Sequence, residues 1–190
     1  MQSKESEIAN ENVSIEFRRR GLELAGWTAG FVFLFFIIPG IVIIALPPTQ
    51  RPEGLAVLAA VPLIEYLAIS VGIGLGINPI LSFLLTMLPC TGLCMLVLGL
   101  FGFMSDSSQR AKRFLEKIQK KIEKYPRLKK YGVASNFLFI IILGVYIAPG
   151  ISILLGWSRV RSVVFMAGGI SFITFLIGLG TIGIIDLFFV

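Results

Sequence analysis

Five long apolar stretches dominate the chain, at residues 25–46, 54–77, 79–103, 132–157 and 162–190. Each reaches the roughly 20 residues that a helix needs to cross a bilayer. Pro and Gly interrupt them, at Pro39-Gly40, Pro62 and Pro149-Gly150, and a kink is expected at each inside a helix. The polar remainder falls mainly into two blocks, residues 1–24 and 105–131. In the second, Ala111, Phe114, Leu115, Ile118, Ile122 and Tyr125 share one helical face, with Lys117, Lys120, Lys121 and Lys124 opposite. Ser107 or Ser108 can cap such a helix and Pro126 ends it. A basic amphipathic helix between membrane segments is expected to lie on the anionic cytoplasmic leaflet. Packing against other cytoplasmic parts is the alternative.

Composition narrows the class. Of 190 residues, 56% are hydrophobic and 15% charged, and mean hydropathy is +0.89. An ordinary soluble domain has about 45–50% and 25%. A disordered chain is excluded, and a soluble enzyme does not fit. His is absent, which removes the commonest general base and metal ligand. There is no paired acidic motif and no nucleophile–base constellation, so no enzyme activity, metal or cofactor is expected. Cys90 and Cys94 share a helical face beside Pro89, but two Cys without His make neither a disulfide framework nor a metal site. The expected class is an all-α, multi-pass protein of the cell membrane.

Charge placement sets the topology. Ten of the 17 basic residues lie between Arg110 and Lys130. Residues 105–131 carry a net +7, more than the +6 of the whole chain. Nucleic acid is not the expected partner of charge placed between membrane segments; an anionic lipid surface is. If all five stretches crossed once, either this segment or both the Arg18–Arg20 triplet and the Arg159/Arg161 pair would lie outside, against the positive-inside tendency. The conflict disappears if 54–77 and 132–157 are re-entrant hairpins. Stretches 25–46, 79–103 and 162–190 then cross, and every basic residue except Arg51 faces the cytoplasm. A leg of about 11 residues reaches about 16 Å, half of a 30 Å hydrocarbon core. The reading is thus three transmembrane helices plus two opposed re-entrant hairpins, with five plain helices as the alternative. The N-terminus and residues 104–131 are cytoplasmic in it.

Sliding the chain by 80 residues aligns Tyr66 with Tyr146, Ile73 with Ile153, Leu75 with Leu155, Gly76 with Gly156 and Ser82 with Ser162. Gly76 and Gly156 can each end a helix, and Asn78 and Ser158 can cap the next. Halves 54–103 and 132–190 would then form an inverted repeat, joined by the basic helix, in one membrane domain over 25–190. Transporters of that design place their site near the midplane.

Glu65 is the one formally charged side chain between Leu55 and Met104. The hairpin places it near mid-membrane, where an ionisable group is costly and usually faces a cavity or partner. A carboxyl there suits proton coupling; a structural acceptor for free backbone amides is the other reading. Tyr66 and Tyr146 would face each other at the two tips, donating to Glu65, to substrate or to local partners. Arg159 and Arg161 could receive a phosphate or carboxylate headgroup, or serve as topology anchors. Asn78, Pro149 and Gly150 complete the candidate pathway.

Pro62-Leu-Ile-Glu-Tyr-Leu-Ala-Ile and Gly76-Ile-Asn-Pro resemble the first half of the small multidrug export protein family. Lys130-Tyr-Gly, Phe137-Leu-Phe, Pro149-Gly150 and Leu154-Leu-Gly-Trp-Ser-Arg-Val-Arg resemble its second half. That family is similar to the DedA (SNARE-associated) membrane proteins. The resemblance covers roughly 54–175 and implies two opposed re-entrant hairpins and a transporter of small amphipathic or lipid-linked substrates, coupled to protons. It implies Glu65 as the acidic residue of the first hairpin and Pro149-Gly150 as the Pro-Gly of the second. The sequence departs from the family pattern at Leu67 and Ser70, where an arginine and a proline are common, and from the DedA pattern at Val145 and Ile151. A membrane scaffold that recruits partners or anionic lipid through its basic helix is the alternative function, and homo-oligomerisation is open.

Overall fold

A computed structural model of the protein describes residues 18–19, 21–107 and 132–189. The described residues are helical apart from short turns, and five segments are long and apolar enough to cross a membrane. The basic helix, with Lys117, Lys120, Lys121 and Lys124, lies outside the described residues.

Helix α1, Gly21–Ala45, contains a π-turn over Phe33–Ile37, where the Ile38 amide bonds back to the Phe33 carbonyl. Pro39 follows; a proline ring clashes with the carbonyl four residues earlier. The wider turn absorbs that conflict just before Pro39-Gly40, where a kink was expected. After a 3₁₀ turn at Pro48–Gln50 comes α2, Arg51–Ile64. Arg51 donates to the carbonyls of Leu46 at 3.3 Å and Ile44 at 3.1 Å. It thus caps the end of α1, where unpaired carbonyls favour a cation. A 3₁₀ turn at Glu65–Leu67 leads into α3, Ala68–Gly74, and then α4, Pro79–Ser107. The second half of the chain starts with a 3₁₀ turn at Gly132–Ser135. It continues with α5, Asn136–Leu154, broken at Gly144 (φ 81°, ψ 176°), and ends with α6, Arg159–Phe189.

Both broken segments double back. Gln50 Nε2 donates to Gly76 O at 3.4 Å, although 26 residues of straight helix would span about 39 Å. A Cβ on Gly72 would lie 3.1 Å from Val57. In α5 the Ser152 hydroxyl lies 2.7 Å from Asn136 Oδ1, where a straight helix would separate them by about 24 Å. The break lies at Gly144, five residues before the Pro149-Gly150 pair expected to make it. Pro149 and Gly150 belong to the helical arm after the turn, and both are buried.

The two exits are built alike. The amides of Gly76 and Ile77 bond to the carbonyls of Ile73 and Gly72, both at 3.0 Å. Eighty residues on, Gly156 and Trp157 bond to Ile153 and Ser152 at 3.0 and 3.1 Å. This is the Schellman arrangement, which needs a left-handed residue. Gly76 (φ 82°) and Gly156 (φ 67°) supply it. Ser82 then bonds to Asn78 O, and Ser162 to Ser158 O, each at 2.9 Å.

Contacts order the bundle. Gly99 meets Trp27, Gly30 meets Met95 and Gly92 meets Phe31 and Leu34, so α1 and α4 run antiparallel with glycine allowing close approach. Arg159 packs on Gly102, while Pro79, Ile80 and Phe83 line a pocket with Phe175, Gly178 and Ile182. Thus α4 and α6 are antiparallel too. One end of the bundle holds Glu23, Gly102 and Arg159; the other holds Arg51, Gly76 and Asn78. The core between them includes Val57, Val61, Ile69, Leu85, Leu98, Ile140, Met166 and Ile170, all fully buried.

Candidate functional site

The two breaks in the helices meet. Glu65 closes α2 with φ 51° and ψ −121° and is the one non-glycine residue with positive φ among the described residues. A side chain in such a conformation costs about 1–3 kcal/mol. The turn sends its half-buried carboxylate across to the break in α5, where Oε2 accepts the Val145 amide at 3.1 Å. A helix break frees backbone amides, and a carboxylate is a strong acceptor for one of them.

Gly144 makes the approach possible. A Cβ there would sit 2.7 Å from both oxygens of Glu65. Its φ of 81° also disfavours any side chain. Glu65 fills the space that the missing side chain leaves.

Two phenols lock the tips together in opposite directions. The Tyr66 hydroxyl donates to the carbonyl of Ile140. The Tyr146 hydroxyl donates to the carbonyl of Pro62 at 2.7 Å. An unbroken helix would pair the Pro62 carbonyl with the amide of residue 66, which lies just past the break at Glu65. Tyr146 therefore supplies a donor that the opposite turn takes away, while Tyr66 adds a second donor at the end of the incoming arm of α5. Tyr66 is 9% exposed and Tyr146 41%.

Val145 is held from its other side as well. Pro149 has no amide to offer the Val145 carbonyl. The buried thiol of Cys94 donates to it at 3.7 Å. The two peptide groups flanking one residue thus carry contacts to Glu65 and to α4. Gly144 did not stand out in sequence, and Cys94 was weighed there only as a metal or disulfide residue. The signal for Gly144 was its register: with the 80-residue offset it falls one position from the partner of Glu65.

The other candidates lie apart from this cluster. Asn78 accepts the Ile80 amide at 2.9 Å and caps α4 at the Arg51 end. Arg159 pairs with Glu23 at 3.4 Å at the opposite end, and Glu23 lies 4.0 Å from Arg19. Arg161 is exposed beside it. Gly150 packs near Phe101. Glu65, Tyr66, Tyr146 and, through Val145, Pro149 are brought together; Asn78, Arg159 and Arg161 are not. Among the described residues no group of three Cys, Asp or Glu side chains could hold a metal ion.

No curated protein and no solved structure matches the chain. The family model described as "Putative small multi-drug export protein" matches residues 66–176, more than half of the chain. The match takes in Tyr66, Gly144, Val145 and Tyr146 and begins one residue after Glu65. With five helices long and apolar enough to span a bilayer, the chain is a multi-pass membrane protein and belongs to the small multi-drug export protein family.

Proposed function

We propose that this protein is a membrane transporter that moves a small amphipathic or lipid-linked molecule and couples the movement to protons through Glu65. The observation that carries this reading is the carboxylate of Glu65 held on the Val145 amide across the space left by Gly144. Protonating an acid that holds a backbone amide across two packed segments weakens the contact between them, which links protonation to movement. The family's name, an export protein, supports transport over catalysis.

In this reading the two doubled-back segments are re-entrant hairpins entering from opposite faces, as in a DedA-like inverted repeat. The single membrane domain spans 25–190. The end with Glu23 and Arg159 is cytoplasmic, together with the N-terminus and the 104–131 segment, whose lysines face anionic lipid of the cell membrane. The identical Schellman exits at Gly76 and Gly156 support the repeat. The Gln50–Gly76 contact supports re-entry. Arg51, the basic residue on the far side, is occupied with the carbonyls at the end of α1. Single cysteines at residues 50, 78, 120 and 158 are expected to label from outside, outside, inside and inside. Labelling of residue 78 from the cytoplasm would remove the first re-entrant hairpin.

The functional test is Glu65→Gln in reconstituted vesicles, with flux measured over a substrate panel and a pH series. Gln can still accept the Val145 amide but cannot ionise. It should fold normally and lose the pH dependence of flux, and Glu65→Asp should retain part of it. A folded Gln variant with unchanged pH-dependent flux would leave Glu65 as a turn-capping group. No flux of any substrate by the wild type would favour the scaffold reading instead.

A further inference from the structure

The Glu65 site has two walls of different character. On the Tyr66 side it is backed by core: Ile140, Val145 and Cys94 are all buried. On the Tyr146 side it reaches the flank of the bundle. Pro62 and Tyr146 are exposed, and the side chains around them are apolar and outward-facing: Leu63 at 82%, with Ile64, Leu67 and Ile147 less so. Along that flank the Tyr146–Pro62 hydrogen bond, 2.7 Å long, ties the two tips together. The flank lies between the two polar ends of the bundle, at the depth that the proposed function assigns to hydrocarbon. At the ends of the bundle, Gln50 donates to Gly76 on one side and Arg159 pairs with Glu23 on the other, both at the surface.

We infer that the Tyr146–Pro62 contact is a lateral gate through which Glu65 is reached from the membrane interior and not from either aqueous face. The inference rests on Glu65 being the site of the proposed transport and adds its entrance and its substrate class. The substrate is a molecule that partitions into the bilayer, apolar over most of its surface, with one hydrogen-bond donor or cationic group for the carboxylate. An apolar surround of exposed aliphatic side chains offers a water-soluble ion nothing in place of its hydration. It costs a membrane-dissolved amphiphile little. Opening the gate exposes one carbonyl and one phenol, while the buried Tyr66–Ile140 bond keeps the tips in register. Tyr146 acts here as a positioning residue and Tyr66 as the pivot.

The test measures access, not transport. The full-length protein in vesicles is treated with a membrane-soluble carbodiimide, dicyclohexylcarbodiimide, or with a water-soluble cationic one. Modification of Glu65 is read by peptide mass spectrometry, with Glu65→Gln as the blank. The membrane-soluble reagent should modify Glu65 at least tenfold faster than the water-soluble one. Tyr146→Phe, which cannot donate to Pro62, should raise that rate several-fold. Leu63→Trp, at the mouth of the gate, should lower it. Equal modification by both reagents would mean an aqueous entrance and overturn the inference, as would a Tyr146→Phe rate equal to wild type. The two-reagent comparison needs only wild-type protein, so it decides even if Tyr146→Phe fails to fold. Selective modification alongside an absence of flux would leave the entrance standing and count against transport alone.

Discussion

The two doubled-back segments, α2–α3 and α5, leave through the same turn but reverse direction by different means. In α5 the reversal falls on Gly144, which takes a positive φ at no steric cost. In α2–α3 it falls on Glu65, a residue that resists the conformation. One tip contributes space and the other contributes charge, and neither suffices alone. The exits are where the two halves agree, because Gly76 and Gly156 do the same backbone task. Similar frames carrying unlike tips give the molecule one carboxylate at the contact instead of two, which avoids like charges facing each other in a medium of low dielectric.

Substitutions at the tips should break this comparison most clearly. Gly144→Ala is expected to cost about 3 kcal/mol or more, since the left-handed strain and the clash with Glu65 add. Glu65→Gly should be far milder: it loses a charge-assisted bond worth about 1.5–3 kcal/mol but relieves strain of about 1–3 kcal/mol. Denaturant titration in mixed micelles measures both. Equal losses would mean that the tips are not complementary.

The phenols come next. Tyr66→Phe removes a buried hydrogen bond and should cost about 0.5–1.5 kcal/mol. Tyr146→Phe exposes a carbonyl nearer the surface of the bundle and should cost at most about 1 kcal/mol. A larger loss at Tyr146 would reverse the assignment of pivot and gate. The smallest effects belong to the exits. Gly76→Ala and Gly156→Ala should each cost about 1 kcal/mol through the strain of a left-handed backbone. A difference between them much beyond about 0.5 kcal/mol, the usual error of additivity, would show that the two turns are not equivalent.

Much of this frame was legible in the sequence, and the reasons differ by residue. The apolar stretches gave the helices, because length in hydrocarbon is a strong constraint. Gly76 and Gly156 were legible as helix ends, since a left-handed terminus calls for glycine. Glu65 stood out because an isolated carboxylate is rare in apolar sequence. The break in α5 was not located. Pro149-Gly150 carries the louder punctuation, yet a proline arm can continue as helix when a side chain serves the orphaned carbonyl, as Cys94 does for Val145. Gly144 is quiet because glycine is common in membrane helices for packing reasons. The reciprocal tyrosine bonds were also out of reach, since they depend on where two segments 80 residues apart cross. The offset that paired Tyr66 with Tyr146 put them at opposing tips but could not give their acceptors.

The tight exits at Gly76 and Gly156 have a mechanical corollary. Each joins the outgoing arm to the next long helix through four residues, 75–78 or 155–158, held by two hydrogen bonds at the glycine turn, so arm and helix form one stiff lever. Compliance is left to the tips and to the 3₁₀ turns at Pro48–Gln50 and Gly132–Ser135, where the incoming arms begin. The natural rigid bodies therefore start at the tips and run through residues 68–107 and 145–189. The two meet along α4 and α6 and at the Cys94–Val145 contact, and Glu65, on the turn that precedes the first, holds the Val145 amide at the start of the second, so rocking of one lever against the other bears on the carboxylate.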